Sequence, residues 1–195
     1  GDPLEPLERG VDAIPMTDHG TVFGAYDFYS KAQAAGVKPI IGMEAYFTTN
    51  TSRFEKKRVR WNDGGNDDVS GSGAYTHMTL LAETTAGMHN LFRMASLASL
   101  EGYFYRPRVD RDLLATYSEG MIATTGCVSG EIPTRLRLGD YDGARRAAGE
   151  LQDVFGRDSF FCELMDHGLE IERRAHTDLL RLAADLSMPL LATND

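Results

Sequence analysis

Eight side chains able to hold a metal or move a proton stand at the ends of short apolar runs: Asp18, His19, Glu44, His77, Cys127, Asp166, His167 and Asp195. The stretch AIPMTDHG, residues 13–20, begins as a buried strand and finishes by setting Asp18 beside His19. In IIGMEAYF, Glu44 lies between Met43 and Ala45, where an unpaired buried carboxylate is costly, so a cation or a donor is expected near it. His77 opens THMTLLAE, Cys127 stands in TTGCVSG, Asp166 and His167 follow in ELMDHG, and Asp195 closes LLATND. Imidazole, carboxylate and thiolate together form a mixture that binds zinc, manganese or iron, and a carboxylate can bridge two such ions. Two adjacent cations acidify a bound water and hold the attacking and leaving oxygens of a phosphodiester, so the chemistry pointed to is hydrolysis of phosphate esters.

Each residue alone has a plainer reading. His19 can be satisfied by backbone at a turn while Asp18 caps the helix that follows. Cys127 taken singly reads as a core thiol. Recurrence of such residues across strand ends favours the metal reading. Neither GCVSG nor SGSG is a G-x-S-x-G elbow, which leaves a serine hydrolase of that type unsupported. A thiol dyad of Cys127 with His19 or His77 is the lesser nucleophilic alternative.

The elements that must position these groups show in the hydrophobic pattern. Apolar runs at 11–16, 38–45, 78–82, 121–125, 160–165 and 189–193 are of strand length with little alternation, as expected for strands covered on both faces. Helices are expected over 23–35 and 87–100, stopped by Gly36 and Gly102. Two further helical stripes run from Ala144 to Phe155, capped by Gly156, and from Ala175 to Leu186. The alternation predicts an α/β fold with a parallel sheet, open or closed into a barrel, and a site at the carboxyl ends of its strands. His77 begins its run rather than ending it, so it is expected at the opposite edge unless that strand starts elsewhere or bends. The segment 48–74 breaks the rhythm. Its first part, SRFEKKRVRW, sets five cations beside Trp61 and could touch a phosphate backbone, although a solvated loop is the plain reading.

Composition bounds the rest. The chain has 195 residues, enough for one domain with a substantial core, and 42% hydrophobic against 25% charged residues is ordinary for a soluble protein. There is no run long enough to span a membrane and no signal-peptide pattern, so a cytoplasmic location is expected. The net charge of −9 argues against a surface devoted to gripping nucleic acid, and two cysteines in separate apolar runs argue against a disulfide framework. PLEPLERG at the start and LLATND at the end give both termini a cut look, and a longer parent chain is expected.

The ordered blocks MTDHGTVFGAYDFYSKAQAAGVKPIIGMEAYF, DDVSGSGAYTHMTLLAE, TTGCVSGEI, ELMDHG and LLATND resemble the N-terminal polymerase-and-histidinol-phosphatase (PHP) domain of bacterial replicative DNA polymerase III alpha subunits, of actinobacterial type. The resemblance implies an irregular (β/α)7 PHP barrel with a metal cluster at one mouth. In this chain it implies a PHP fragment over residues 1–195, with 48–74 inserted and the first strand, bearing an H-x-H pair, and the C-terminal end absent. Carried over by motif, the metal ligands are His19, Glu44, His77, Cys127 and Asp195, with Glu44 and His19 catalytic. Asp166 and His167 match a block without being ligands, and Asp18 supports the turn at His19. The implied cofactor is a divalent ion, zinc first, with manganese or iron as alternatives. The implied activity is 3′–5′ proofreading exonuclease at a DNA primer end, within a DNA-directed DNA polymerase that works with its remaining domains and other replisome subunits. This fragment alone is expected to be inactive. A non-catalytic brace that binds partners and a free-standing histidinol-phosphatase-like enzyme are the alternative readings.

Overall fold

The run that carries Glu44 becomes the spine of the sheet. Strand β2 (Lys38–Phe47) is buried from Ile41 to Phe47 without a break, and packing on both of its faces accounts for the missing alternation in its sequence. The computed structural model of the chain describes residue 10, residues 12–61 and residues 70–194. Strand β1 (Ala13–His19) runs parallel to β2, β3 (Thr76–Ala82) runs antiparallel to it, and the two-residue β4 (Arg108–Val109) pairs with its far end. Strands β5 (Met121–Thr124), β6 (Phe160–Leu164) and β7 (Leu190–Ala192) continue the sheet in the order β1-β2-β3-β5-β6-β7. The sheet curls into a half-barrel, consistent with the α/β PHP barrel that the resemblance implies.

Six helices are described: α1 (Ala25–Ala34), α2 (Thr85–Leu100), α3 (Arg111–Tyr117), α4 (Glu131–Arg137), α5 (Tyr141–Phe155) and α6 (Glu170–Leu186). Their caps follow the sequence. The Thr84 hydroxyl accepts from Gly87 N at 3.0 Å to start α2, and Asp140 accepts from Gly143 N at 2.9 Å to start α5. The apolar stripes of α2, α5 and α6 supply Leu91, Met94, Leu151 and Leu182 to a core shared with Met43, Phe47, Leu80 and Phe160 of the sheet.

The expected all-parallel sheet is corrected at β3, which is antiparallel to both β2 and β5. Parallel pairing needs a crossover, usually helical, whereas the described residues between β2 and β3 hold only a short 3-10 turn at Ser70–Gly73. Two boundaries also move. β1 runs on to include Asp18 and His19, and β3 starts early enough to include His77. The short elements β4, α3 and α4 carry too few residues to show a period and were not anticipated.

The described part of the 48–74 segment is a loop-like arm whose residues 54–58 and 60 are exposed, as the solvated reading expects, but it is fastened to the body at Arg53. Arg108 is fully buried beneath it and donates to Gly102 O at 2.9 Å, Arg53 O at 2.9 Å and Glu55 O at 3.1 Å. Arg53 returns its backbone N–H to Asp110 at 2.8 Å and its guanidinium to Asp110 and Glu101. Residues 62–69 of the same segment lie outside the described residues.

Asp110 is therefore the anchor of the arm as well as the cap of α3, where it accepts from Leu113 N at 3.1 Å. Replacing it with alanine leaves Arg53 without its buried partner and is expected to destabilise the fold by about 3–5 kcal/mol in urea unfolding. Asp110→Asn retains the cap and is expected to lose distinctly less.

Candidate metal centre

Sheet register brings three of the candidate ligands together. His19, the last residue of β1, pairs across the ladder with Glu44, and Gly20 N donates to Glu44 O at 2.9 Å. Glu44 and Tyr46 share a face of β2, two residues apart, and Tyr46 pairs with His77 of β3. Because β3 runs backwards, its amino end lies at the rim formed by the carboxyl ends of β1 and β2. That direction removes the conflict over His77. The turn after His19 is tight: Gly20 takes φ +67, and a Cβ there would meet the Tyr46 ring at 2.7 Å. Asp18 Oδ2 accepts from Gly24 N at 3.1 Å, so this acid fastens the start of α1 rather than facing the site.

Ligand atoms of His19, Glu44 and His77 all lie within 4.8 Å of one another. His19 Nε2 is 3.1 Å from Glu44 Oε2, and His77 Nδ1 meets Glu44 Oε1. Burial is uneven. The His19 side chain is 59% exposed, His77 16% and Glu44 11%, so the group is rooted in the protein at Glu44 and open to solvent at His19. Tyr46 and Tyr75 pack around His77, with ring centroids 5.3 and 5.9 Å from it.

Charge is balanced within the group. Burial alone raises the Glu44 pKa, but the hydrogen bond from His77 and the charges of His77 and His19 outweigh it and hold the carboxyl below its ordinary value. Burial disfavours a charged His77, yet contact with Cys127 and Glu44 overcomes this and lifts its pKa to about 9. Folding thus raises this pKa above the ordinary 6.5: the pair contributes fully below about 6.5 and its contribution fades as pH rises through about 9. A cation arriving on the His77 nitrogen must displace this proton. Two imidazoles and a carboxylate within one cation's reach fit a borderline divalent ion such as zinc, manganese or iron.

The other two expected ligands stand differently. Cys127 contacts His77 but falls outside the close group, and its turn is locked to that strand, where His77 N donates to Ser129 O at 3.1 Å. Asp195 lies outside the described residues. Asp166 and His167 are engaged locally at the start of α6. Asp166 accepts from Gly168 N at 3.0 Å, and His167 Nδ1 lies 2.6 Å from Glu172 Oε1.

A family profile described as the PHP domain matches residues 6–167. The chain belongs to the PHP domain family. It is also 53% identical over 194 residues to the DNA polymerase III subunit alpha of Saccharopolyspora erythraea, a match covering 95% of this chain and 16% of that protein. The Mycobacterium tuberculosis subunit is 51% identical over 196 residues, with 98% and 16% covered, and that of Thermus aquaticus is 43% identical over 183 residues, with 94% and 14% covered. This PHP chain therefore spans about one sixth of the length of these relatives.

Two features of the PHP site went unread in the sequence. The aromatic wall of Tyr46 and Tyr75 was hidden in strand-like runs. The second is Glu163, 4% exposed, which accepts from the Thr124 hydroxyl and, at 2.6 Å, from that of Thr193, while its own N–H reaches Thr125 Oγ1 at 3.0 Å. It ties the carboxyl ends of β5, β6 and β7 together. A carboxylate inside the apolar run FFCELM was the available signal, the same one that marked Glu44.

The two thiols of this PHP domain should separate in reactivity. Cys162 is fully buried, and burial, reinforced by the charge of Glu163, pushes its pKa up to about 12, whereas Cys127 is partly exposed beside His77. Alkylation of the native protein followed by mass spectrometry is expected to label Cys127 and spare Cys162 until the chain is unfolded. Preferential labelling of Cys162 would contradict this arrangement.

Proposed function

We propose that this PHP domain is the metal-dependent hydrolytic module of a replicative DNA polymerase alpha subunit and removes misincorporated nucleotides from primer ends as a 3′–5′ exonuclease. The observation that carries this reading is the convergence of His19, Glu44 and His77 at one rim of the sheet. Similarity to DNA polymerase III alpha subunits supplies the setting: DNA as substrate, further polymerase domains and replisome subunits as partners, and a cytoplasmic location. No helix among the described residues is long and apolar enough to cross a membrane.

In this reading Glu44, His77 and the more exposed His19 would hold a divalent ion, zinc first. Cys127 and Asp195 are assigned as further ligands from the family pattern. When bound, such an ion offsets phosphate charge and makes a water acidic enough to attack at neutral pH. Before an ion binds, Glu44 orients His77 by their hydrogen bond, with His19 Nε2 3.1 Å from its other oxygen. His19, 59% exposed, is the side chain of the three that faces solvent, where a substrate end would approach. Tyr46 and Tyr75 exclude water from the His77 side of the site.

The non-catalytic alternative has one observation in its favour. Glu44 is already paired with both histidines, so the cluster is electrically satisfied without a metal. Elemental analysis after dialysis and digestion of a mismatched primer, run on a polymerase chain carrying this domain, distinguish the two readings. The hydrolytic reading expects retained metal, and expects Glu44→Gln to lose that metal and reduce digestion on the order of 100-fold or more without affecting polymerisation. A metal-free protein, or digestion indifferent to Glu44→Gln, leaves the domain as a brace.

A further inference from the structure

The arm after β2 carries a cavity that the proposed hydrolysis does not use. Thr49 and Asn50 just past β2, Arg60 and Trp61 from the arm, and Arg135 and Asp140 at the end of α4 border about 100 Å³. The Thr49 side chain is 95% buried in residue terms, with 5% exposure, and its hydroxyl has no partner among the described residues. A buried hydroxyl left unpaired is rare in a native fold and marks a place for a ligand's polar atom. The Arg135 guanidinium lies 5.2 Å from the Trp61 ring centroid and supports the half-buried indole as a flat wall.

Charges around the cavity are largely spent on one another. Arg135 donates to Glu131 at 2.9 Å and to Asp140 at 2.9 Å, and Asp140 also caps Gly143 N. Lys57 pairs with Glu55, and Arg58 lies over the Tyr105 ring. The positive charge presented to a ligand is that of exposed Arg60. An aromatic plane, a hydroxyl and one cation around a space of this size suit a nucleobase with its phosphate and are too confined for a folded partner.

Position adds to the chemistry. Val59 N donates to Gly73 O at 2.8 Å, and Gly73 precedes His77 by four residues, at most about 14 Å of extended chain. The cavity therefore sits a few nucleotides from the metal centre. We propose that it is a subsite for one nucleotide of a single strand whose end reaches that centre, the base against Trp61 and the phosphate at Arg60; the subsite rests on the hydrolytic reading given above. A net charge of −9 makes such binding local and sensitive to salt.

Trp61 is the single tryptophan of the chain, so its fluorescence reads this cavity directly. The chain is titrated with an eight-nucleotide oligothymidylate in EDTA, so that metal and hydrolysis play no part. Saturable quenching is expected, weakened about tenfold by Arg60→Glu and several-fold by Thr49→Val, and abolished by high salt. No saturable change, the same change produced by inorganic phosphate alone, or a response indifferent to Arg60→Glu would each overturn the subsite. Quenching in an unmutated polymerase chain that retains no metal and digests no primer would instead remove the hydrolytic reading and leave nucleotide binding in place.

Discussion

A carboxylate buried in a central strand must find positive charge, and the Glu44 interaction with two histidines organises this end of the molecule. The side chain is mostly shielded from water, so without His19 and His77 it would carry an uncompensated desolvation penalty. The partners arrive from the two strands that flank β2, one parallel and one antiparallel. Each pairing has to be in register, because a slip of one residue would turn the donor to the other face of the sheet. The electrostatic demand of one residue thus agrees with the hydrogen-bond ladders on both sides of it.

The direction of β3 follows from the same demand. A parallel β3 would carry His77 to the far edge, away from Glu44, and would need a crossover helix over the sheet. The chain instead returns through the arm, which Arg108, Arg53 and Asp110 fasten to the body. Anchoring the arm at Asp110 fixes the path that leads, through the contact of Val59 with Gly73, into His77. A buried ion-pair network that looks remote from the rim therefore helps deliver one of its side chains.

Much of this could be read from residue order. Long apolar runs announced β2, β5 and β6, and glycines at 36 and 156 stopped helices where the pattern ended, both with positive φ. Glu44 stood out because a carboxylate within such a run has few inexpensive explanations. Strand direction was not legible, since a strand's hydrophobic pattern reads the same either way. Elements of two or seven residues, such as β4, α3 and α4, are too short to display a period. The arm was legible in part: four of its five cations are exposed as their sequence suggests, whereas the partners that bury the fifth, Arg53, come from 48 and 57 residues away. Glu163 shows the reverse case. It carried the same signal as Glu44, but its partners are threonine hydroxyls, which no pattern in the residue order singles out.

The way Glu44 is satisfied also bears on how the rim can change without loss of the fold. In small metal-dependent domains the ligands have no partners without the ion, so removing it unfolds the chain. Here His77, with its pKa lifted to about 9, supplies at neutral pH the positive charge that a cation would otherwise bring, and the proton and the metal compete for one position. The strands stay in register in either state because the ladder and the apolar core of β2 hold them. An ion taken up there would exchange locally for a proton at an already built site. On the proposed reading, loss of an outlying ligand would weaken the hold on the ion while leaving the charge balance around Glu44 intact, so the fold would outlast the loss of its metal.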